Sequence, residues 1–149
     1  MILEQDFVSI LFVGYLIACA WQDYRCCAVY DITHYPGIFL AGCMADISGM
    51  EAGTAMSLLT FSMLQYLLFR RMYGDADVMC FLICALSLGK TGSMELYLVH
   101  MLISYIFLGI HQATRRNIAK DGNLKKPVPM IPYILTAYLV VKILVKLYN

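Results

Sequence analysis

Apolar residues fall into six runs along the chain, at about Phe7–Trp21, Pro36–Met50, Ala52–Phe69, Asp77–Leu88, Met94–Ile110 and Val128–Leu147, divided by short polar or glycine-containing turns. Six helices account for them. A bilayer core asks for about 20 residues per crossing helix, so the second and fourth runs must borrow flanking residues, tilt, or sit partly inside protein. With no internal repeat, low-complexity tract or long linker, the expected fold is all-α: one bundle of about six transmembrane helices, a single domain over residues 1–149.

Composition sets the solvent. The chain is 61% hydrophobic with a mean hydropathy of +0.71, and its 14% of charged residues falls well below the roughly 25% of a soluble domain. Lysine and arginine set the direction. With the N-terminus outside, the inner side holds Arg25, Arg70, Arg71, Arg115, Arg116, Lys120, Lys125 and Lys126, and the outer side only Lys90, Lys142 and Lys146. The inside-positive bias therefore gives N-out and C-out. Glu4 and Asp6, with no basic residue, precede the first run, which points to a retained helix rather than a cleaved signal. A net charge of +1 without aromatic-basic interleaving gives no ground for nucleic-acid binding.

Between the runs, His111–Lys126 reads as an inner loop, and the stretch Pro127–Pro132 restarts a helix, because proline suits a helix entrance. Gly49 and Gly53 bracket an outer turn around Glu51. Leu88-Gly-Lys-Thr-Gly92 imitates the end of a phosphate-binding loop, but Cys84 stands where that loop needs its first glycine.

Cys19, Cys43, Cys80 and Cys84 lie in apolar runs, where cysteine serves as a small buried hydrophobe. Cys26 and Cys27 adjoin on the inner side, and no Cys-x-x-Cys pair exists. His34, His100 and His111 are scattered, so no metal site is expected.

The acids carry more information. The first run ends inside at Trp21-Gln-Asp23 and the fourth begins inside near Asp77, so the order of crossings alone brings these two carboxylates to one face. Acids at the edge of hydrocarbon face a partner or a polar cavity; the plain alternative is that both only cap helix ends. Asp46 and Glu95 fall toward outer ends, whereas Asp31, Asp75 and Asp121 belong to inner loops.

Three motifs add a resemblance. Asp23-Tyr-Arg-Cys-Cys-Ala-Val-Tyr-Asp31 resembles the Asp-x-x-x-x-x-Ile-Pro-Asn signature of type IV prepilin peptidases, with Asp23, Arg25 and Val29 in the matching places and Tyr30 and Asp31 departing. Gly74-Asp-Ala-Asp77 is similar to the Gly-x-Gly-Asp motif of that family, with Ala76 for the second glycine; Ala85 and Gly89 recur at later small positions, and Met79 replaces a common lysine. Val128-Pro-Met-Ile-Pro-Tyr133, with Pro129 and Pro132, is similar to the entrance of the family's last helix.

The resemblance implies a membrane aspartic endopeptidase of the plasma membrane, with Asp23 and Asp77 as its dyad at the cytoplasmic face and Gly74, Ala76, Pro129 and Pro132 in support. Two neighbouring carboxylates cannot both ionise cheaply and share a proton, so one takes a proton from water while the other gives one to the peptide. A register two residues earlier would make Asp75 the second acid; the later small positions favour Asp77. The substrate implied is a pilin-like precursor (prepilin, pseudopilin or flagellin-like) whose apolar helix lies in the bilayer. The zinc-binding loop of longer relatives, which goes with N-methylation, has no counterpart here, so neither metal nor organic cofactor is expected. Two other readings stand beside this one: a proton-coupled transporter using Asp46, Asp77 and Glu95, and an inactive membrane scaffold.

Overall fold

The structure, a computed structural model, describes residues 2–45, 52–69, 74–88, 94–118 and 128–148. Its helices are α1 (Ile2–Cys26), α2 (His34–Met44), α3 (Ala52–Phe69), α4 (Asp75–Leu88), α5 (Met94–Ile118) and α6 (Ile131–Tyr148), with a 3-10 turn at Asp31–Thr33 before α2. No strand occurs among the described residues. The regular structure of the described residues is all helical, and α3 has the bounds of its apolar run.

Elsewhere hydrogen bonding carries helices past the hydrophobic pattern. α1 continues through Gln22–Cys26, where Cys27 closes it with a left-handed φ of 49° and its N–H donates to the Asp23 carbonyl at 2.7 Å. That is the usual helix-terminating geometry, on a residue with a Cβ where glycine is the common choice. α5 runs on to Ile118, so the first half of the expected loop at His111–Lys126 is helical. Asp75, expected in a loop, is the first residue of α4. α2 ends at Met44, short of the run to Met50, and Asp46, Gly49, Glu51, Gly89, Asp121 and Lys120 lie outside the described residues.

Among the described residues two segments are long and apolar enough to cross a membrane, Phe7–Cys26 in α1 and Met94–Arg115 in α5. At 1.5 Å per residue, α2 and α4 rise only about 16 and 21 Å.

The core forms where α1, α4, α5 and α6 meet. α1 and α6 run antiparallel: Asp23 meets the start of α6, Phe12 packs on Tyr138 with ring centroids 5.2 Å apart, and Lys142 Nζ donates to Ser9 Oγ at 3.2 Å. α5 lies antiparallel to α6, with His111 against Tyr133 near one end and the His100 Nε2–H donating to the Ile134 carbonyl at 2.9 Å deeper in. His100 also meets the edges of Phe81 and Tyr138.

Polar side chains are used inward. Between α3 and α5, Tyr97 donates to Gln65 Oε1, Gln65 Nε2 donates to the Tyr105 hydroxyl at 3.0 Å, and Ser62 pairs with Tyr97 at 3.4 Å. Between α1 and α2, the Tyr15 hydroxyl pairs with His34 Nδ1 at 3.0 Å. Gly37 makes that contact possible, because a Cβ there would run into the Tyr15 ring. Cys19, Cys80 and Cys84 are buried, but Cys43, expected inside, is exposed. The exterior carries large apolar side chains, among them Ile10, Ile17, Phe39, Met63, Leu102 and Ile143.

Candidate functional site

Three helix ends converge at one end of the bundle: the last turn of α1 and the first turns of α4 and α6. Asp23 belongs to the first. A carboxylate in the last turn of a helix faces the negative end of its own macrodipole, so Asp23 needs outside donors. It finds them on α6. The Ile131 N–H donates to Asp23 Oδ2 at 2.8 Å, with the Met130 amide alongside.

The local sequence explains the fit. Met130 precedes α6 and its carbonyl accepts from Tyr133 and Ile134 at 3.0 and 3.3 Å, which makes it the capping residue, yet a methionine side chain cannot satisfy the free N–H groups of the first turn. Asp23 serves as that cap from another helix. Pro132, the second residue of α6, spends no N–H in the turn where N–H groups lack intrahelical partners anyway. Pro129 stands just before the capping residue, half-buried.

Asp77 is held by α4 itself. Its Oδ2 accepts from the Gly74 N–H at 3.1 Å, and its own N–H donates to the Gly74 carbonyl at 3.1 Å. This is the reach-back half of a capping box, with an acid at the third helical position. Helix capping and proximity to a second acid are thus combined in one side chain: Asp23 and Asp77 are 6% and 9% exposed, and the charge of Asp23 bears directly on Asp77. Both acids also act on Cys80 below them.

Gly74 is exposed and its φ is not left-handed; a Cβ there would meet only the Ala76 nitrogen, at 4.0 Å. Backbone conformation therefore does not demand glycine, and Ala76 in the neighbouring place strains nothing on that account. Asp75 is exposed on the opposite face of α4 from Asp77. Glu95 is exposed at the start of α5, the far end from the two aspartates, and His34 and His100 are engaged in the core. Among the described residues no three His, Cys, Asp or Glu side chains gather as metal ligands.

The backbone amides of Met130 and Ile131 are the site components that sequence reasoning missed. Their only trace is the proline-flanked, capless start of α6. The chain matches no family model, no curated protein and no solved structure. Chemically, a pair of buried, mutually repelling carboxylates at the mouth of an apolar bundle can hold one proton between them and exchange it with a bound water.

Proposed function

We propose that the chain is a multi-pass membrane aspartic endopeptidase of the plasma membrane that removes the leader from type IV pilin-like precursors at the cytoplasmic face. The observation that carries this reading is that Asp23 and Asp77 are both buried, the charge of Asp23 acting on Asp77, and each is oriented by a backbone N–H at a helix N-terminus. The sequence resemblance around Asp23, Asp77 and Pro129–Pro132 supports it, as does an exterior dressed with large apolar residues over polar contacts turned inward. Six crossings, N-out and C-out, put both aspartates on the inner, lysine- and arginine-rich side.

The chemistry follows from one shared proton. The ionised carboxylate takes a proton from water as its oxygen attacks the scissile carbonyl carbon, and the protonated partner gives its proton to the carbonyl oxygen. The tetrahedral diol then collapses: one of its hydroxyls returns a proton to the ionised carboxylate, the leaving nitrogen takes a proton from the protonated one as the C–N bond breaks, and acid and amine leave with one proton again shared by the dyad. Co-expression with tagged pilin-like precursors, read as a leader-sized shift on gels, tests the proposal; no shift with any precursor class in wild-type cells overturns it.

A further inference from the structure

The outer surface changes character at one level of the bundle, and tyrosine and tryptophan mark that level. Among the described residues every exposed tyrosine or tryptophan falls at the end of α1 or the start of α2: Trp21, Tyr24, Tyr30 and Tyr35, 62–72% exposed. The Thr33 hydroxyl donates to Gln22 Oε1 at 3.2 Å, which holds the α1–α2 connection against the last turns of α1. These rings therefore share the level of Asp23.

The same grading runs along each helix. α1 exposes Phe7, Ile10, Leu11 and Ile17, then Trp21 and Tyr24, then Arg25, whose guanidinium lies 5.5 Å from the centre of the Trp21 ring. α2 repeats the order in reverse, with Asp31 exposed ahead of it, Tyr35 in its first turn and Ile38 and Phe39 after. On α5, which α6 separates from α1, Leu102, Ile106 and Ile110 are exposed and give way to exposed His111 and Gln112. His111 lies 5.6 Å from the Tyr133 ring, two residues past the Ile131 amide that binds Asp23. The change from apolar to polar thus stands at the aspartate level on separate helices.

A protein partner covers a patch centred on buried anchors, whereas a change of polarity at one height on several helices fits a plane. Tyrosine and tryptophan suit a boundary where one end of the ring meets an apolar medium and the other meets water. The dimensions agree: α1 rises about 6 Å from Trp21 to Arg25, and the headgroup layer adds about 5–8 Å on each side of the hydrocarbon core.

We infer that the α1–α2 corner is a lipid-interface anchor, in which Trp21, Tyr24, Tyr30 and Tyr35 seat in the boundary between headgroups and acyl chains and fix the aspartate pair at that depth. Ile32, exposed in the 3-10 turn, enters the same layer. This rests on the membrane-spanning part of the proposed function and not on the peptidase chemistry. Asp23 is two residues past Trp21, about 3 Å along α1, so the pair has water on one side and hydrocarbon on the other.

Trp21 is the single tryptophan of the chain, so the full protein reports its own depth. In phosphatidylcholine vesicles brominated at shallow or deep acyl positions, Trp21 emission should lose more intensity to bromines near the headgroup than to those near the chain ends. The variant Tyr30→Ala, Tyr35→Ala should narrow that preference, because two of the rings that hold the depth are gone. Quenching by deep bromines that equals or exceeds the shallow effect would move the boundary away from the aspartates and overturn the inference, and an unchanged preference in the variant would deny the tyrosines their anchoring role. No response to either bromine, the result when another protein or a second copy covers the corner, also overturns it. If the protein does not float with the vesicles, the anchor and the membrane-spanning reading fall together; cleavage is read in none of these arms.

Discussion

The Ile131 N–H donates to the Asp23 carboxylate at 2.8 Å, so the first turn of the last helix caps itself on an acid from the end of the first. Structure and chemistry share this bond: it satisfies a free N–H of α6 and fixes one oxygen of the proposed dyad. A charge-assisted bond of this kind contributes about 1.5–3 kcal/mol. Proline is tolerated at the first helical position but carries no N–H, so Ile131→Pro should cut kcat by about ten- to a hundredfold with the protein still folded. Ile131→Val keeps the amide and should stay within about threefold, at a stability cost of about 0.5–1.5 kcal/mol. Cleavage rates in detergent, beside size-exclusion profiles of both variants, check the pair.

Asp23→Asn and Asp77→Asn should each lower cleavage by about a thousandfold, the scale of lost general acid or base catalysis, and leave membrane insertion intact. In Asp77→Asn the amide oxygen still accepts from the Gly74 N–H, so α4 keeps its cap and the loss belongs to proton transfer. Full processing by either variant would falsify the aspartic-peptidase reading.

The adjacent acids separate by kinetic parameter. Asp75 is exposed on α4 and Asp77 is buried. Asp75→Asn should therefore retain substantial cleavage, with kcat and KM within about fivefold of the wild type, the scale of an exposed charge, while Asp77→Asn lowers kcat. Steady-state rates over a range of precursor concentrations distinguish them; the reverse order of effects would move the catalytic role to Asp75.

Gly37 tests the packing that seats α2 on α1. Because a Cβ there collides with the Tyr15 ring, Gly37→Ala should destabilise the protein by about 1–3 kcal/mol, the cost of overpacking. Truncating the ring removes the clash, so Gly37→Ala combined with Tyr15→Ala should be markedly less harmful than the sum of the single changes. Thermal unfolding in detergent for the four members of the cycle measures the coupling; strict additivity would contradict the contact.

How much of this was legible depended on whether the signal lay in side chains. The apolar run Ala52–Phe69 gives α3 outright, since both ends meet polar or glycine-bearing turns. The ends of α1 and α5 were not legible from hydropathy: Gln22–Cys26 and His111–Ile118 are polar yet helical, the former because α6 supplies donors to Asp23. The two aspartates stood out as acids at the edges of apolar runs. Their orienting groups did not, because a backbone amide has no letter in the sequence. Gly74 misled in the opposite sense, since a motif glycine proved free of any conformational demand.

Native cysteines can test the proposed orientation without engineered sites. Cys26 and Cys27 are exposed at the end of the bundle that carries Asp23, whereas Cys19, Cys80 and Cys84 are buried in the core; Cys43 is exposed on α2 and is removed as Cys43→Ser to leave one reporting pair. If α1 crosses from outside to inside, as the lysine and arginine distribution requires, Cys26 and Cys27 face the cytoplasm. A membrane-impermeant maleimide should then leave intact cells unlabelled and modify the protein once the membrane is opened. The double variant Cys26→Ser, Cys27→Ser should lose that signal, which assigns it to these thiols and not to the buried three. Labelling of Cys26 or Cys27 in intact cells would place the aspartate pair on the outer side and overturn cleavage at the cytoplasmic face.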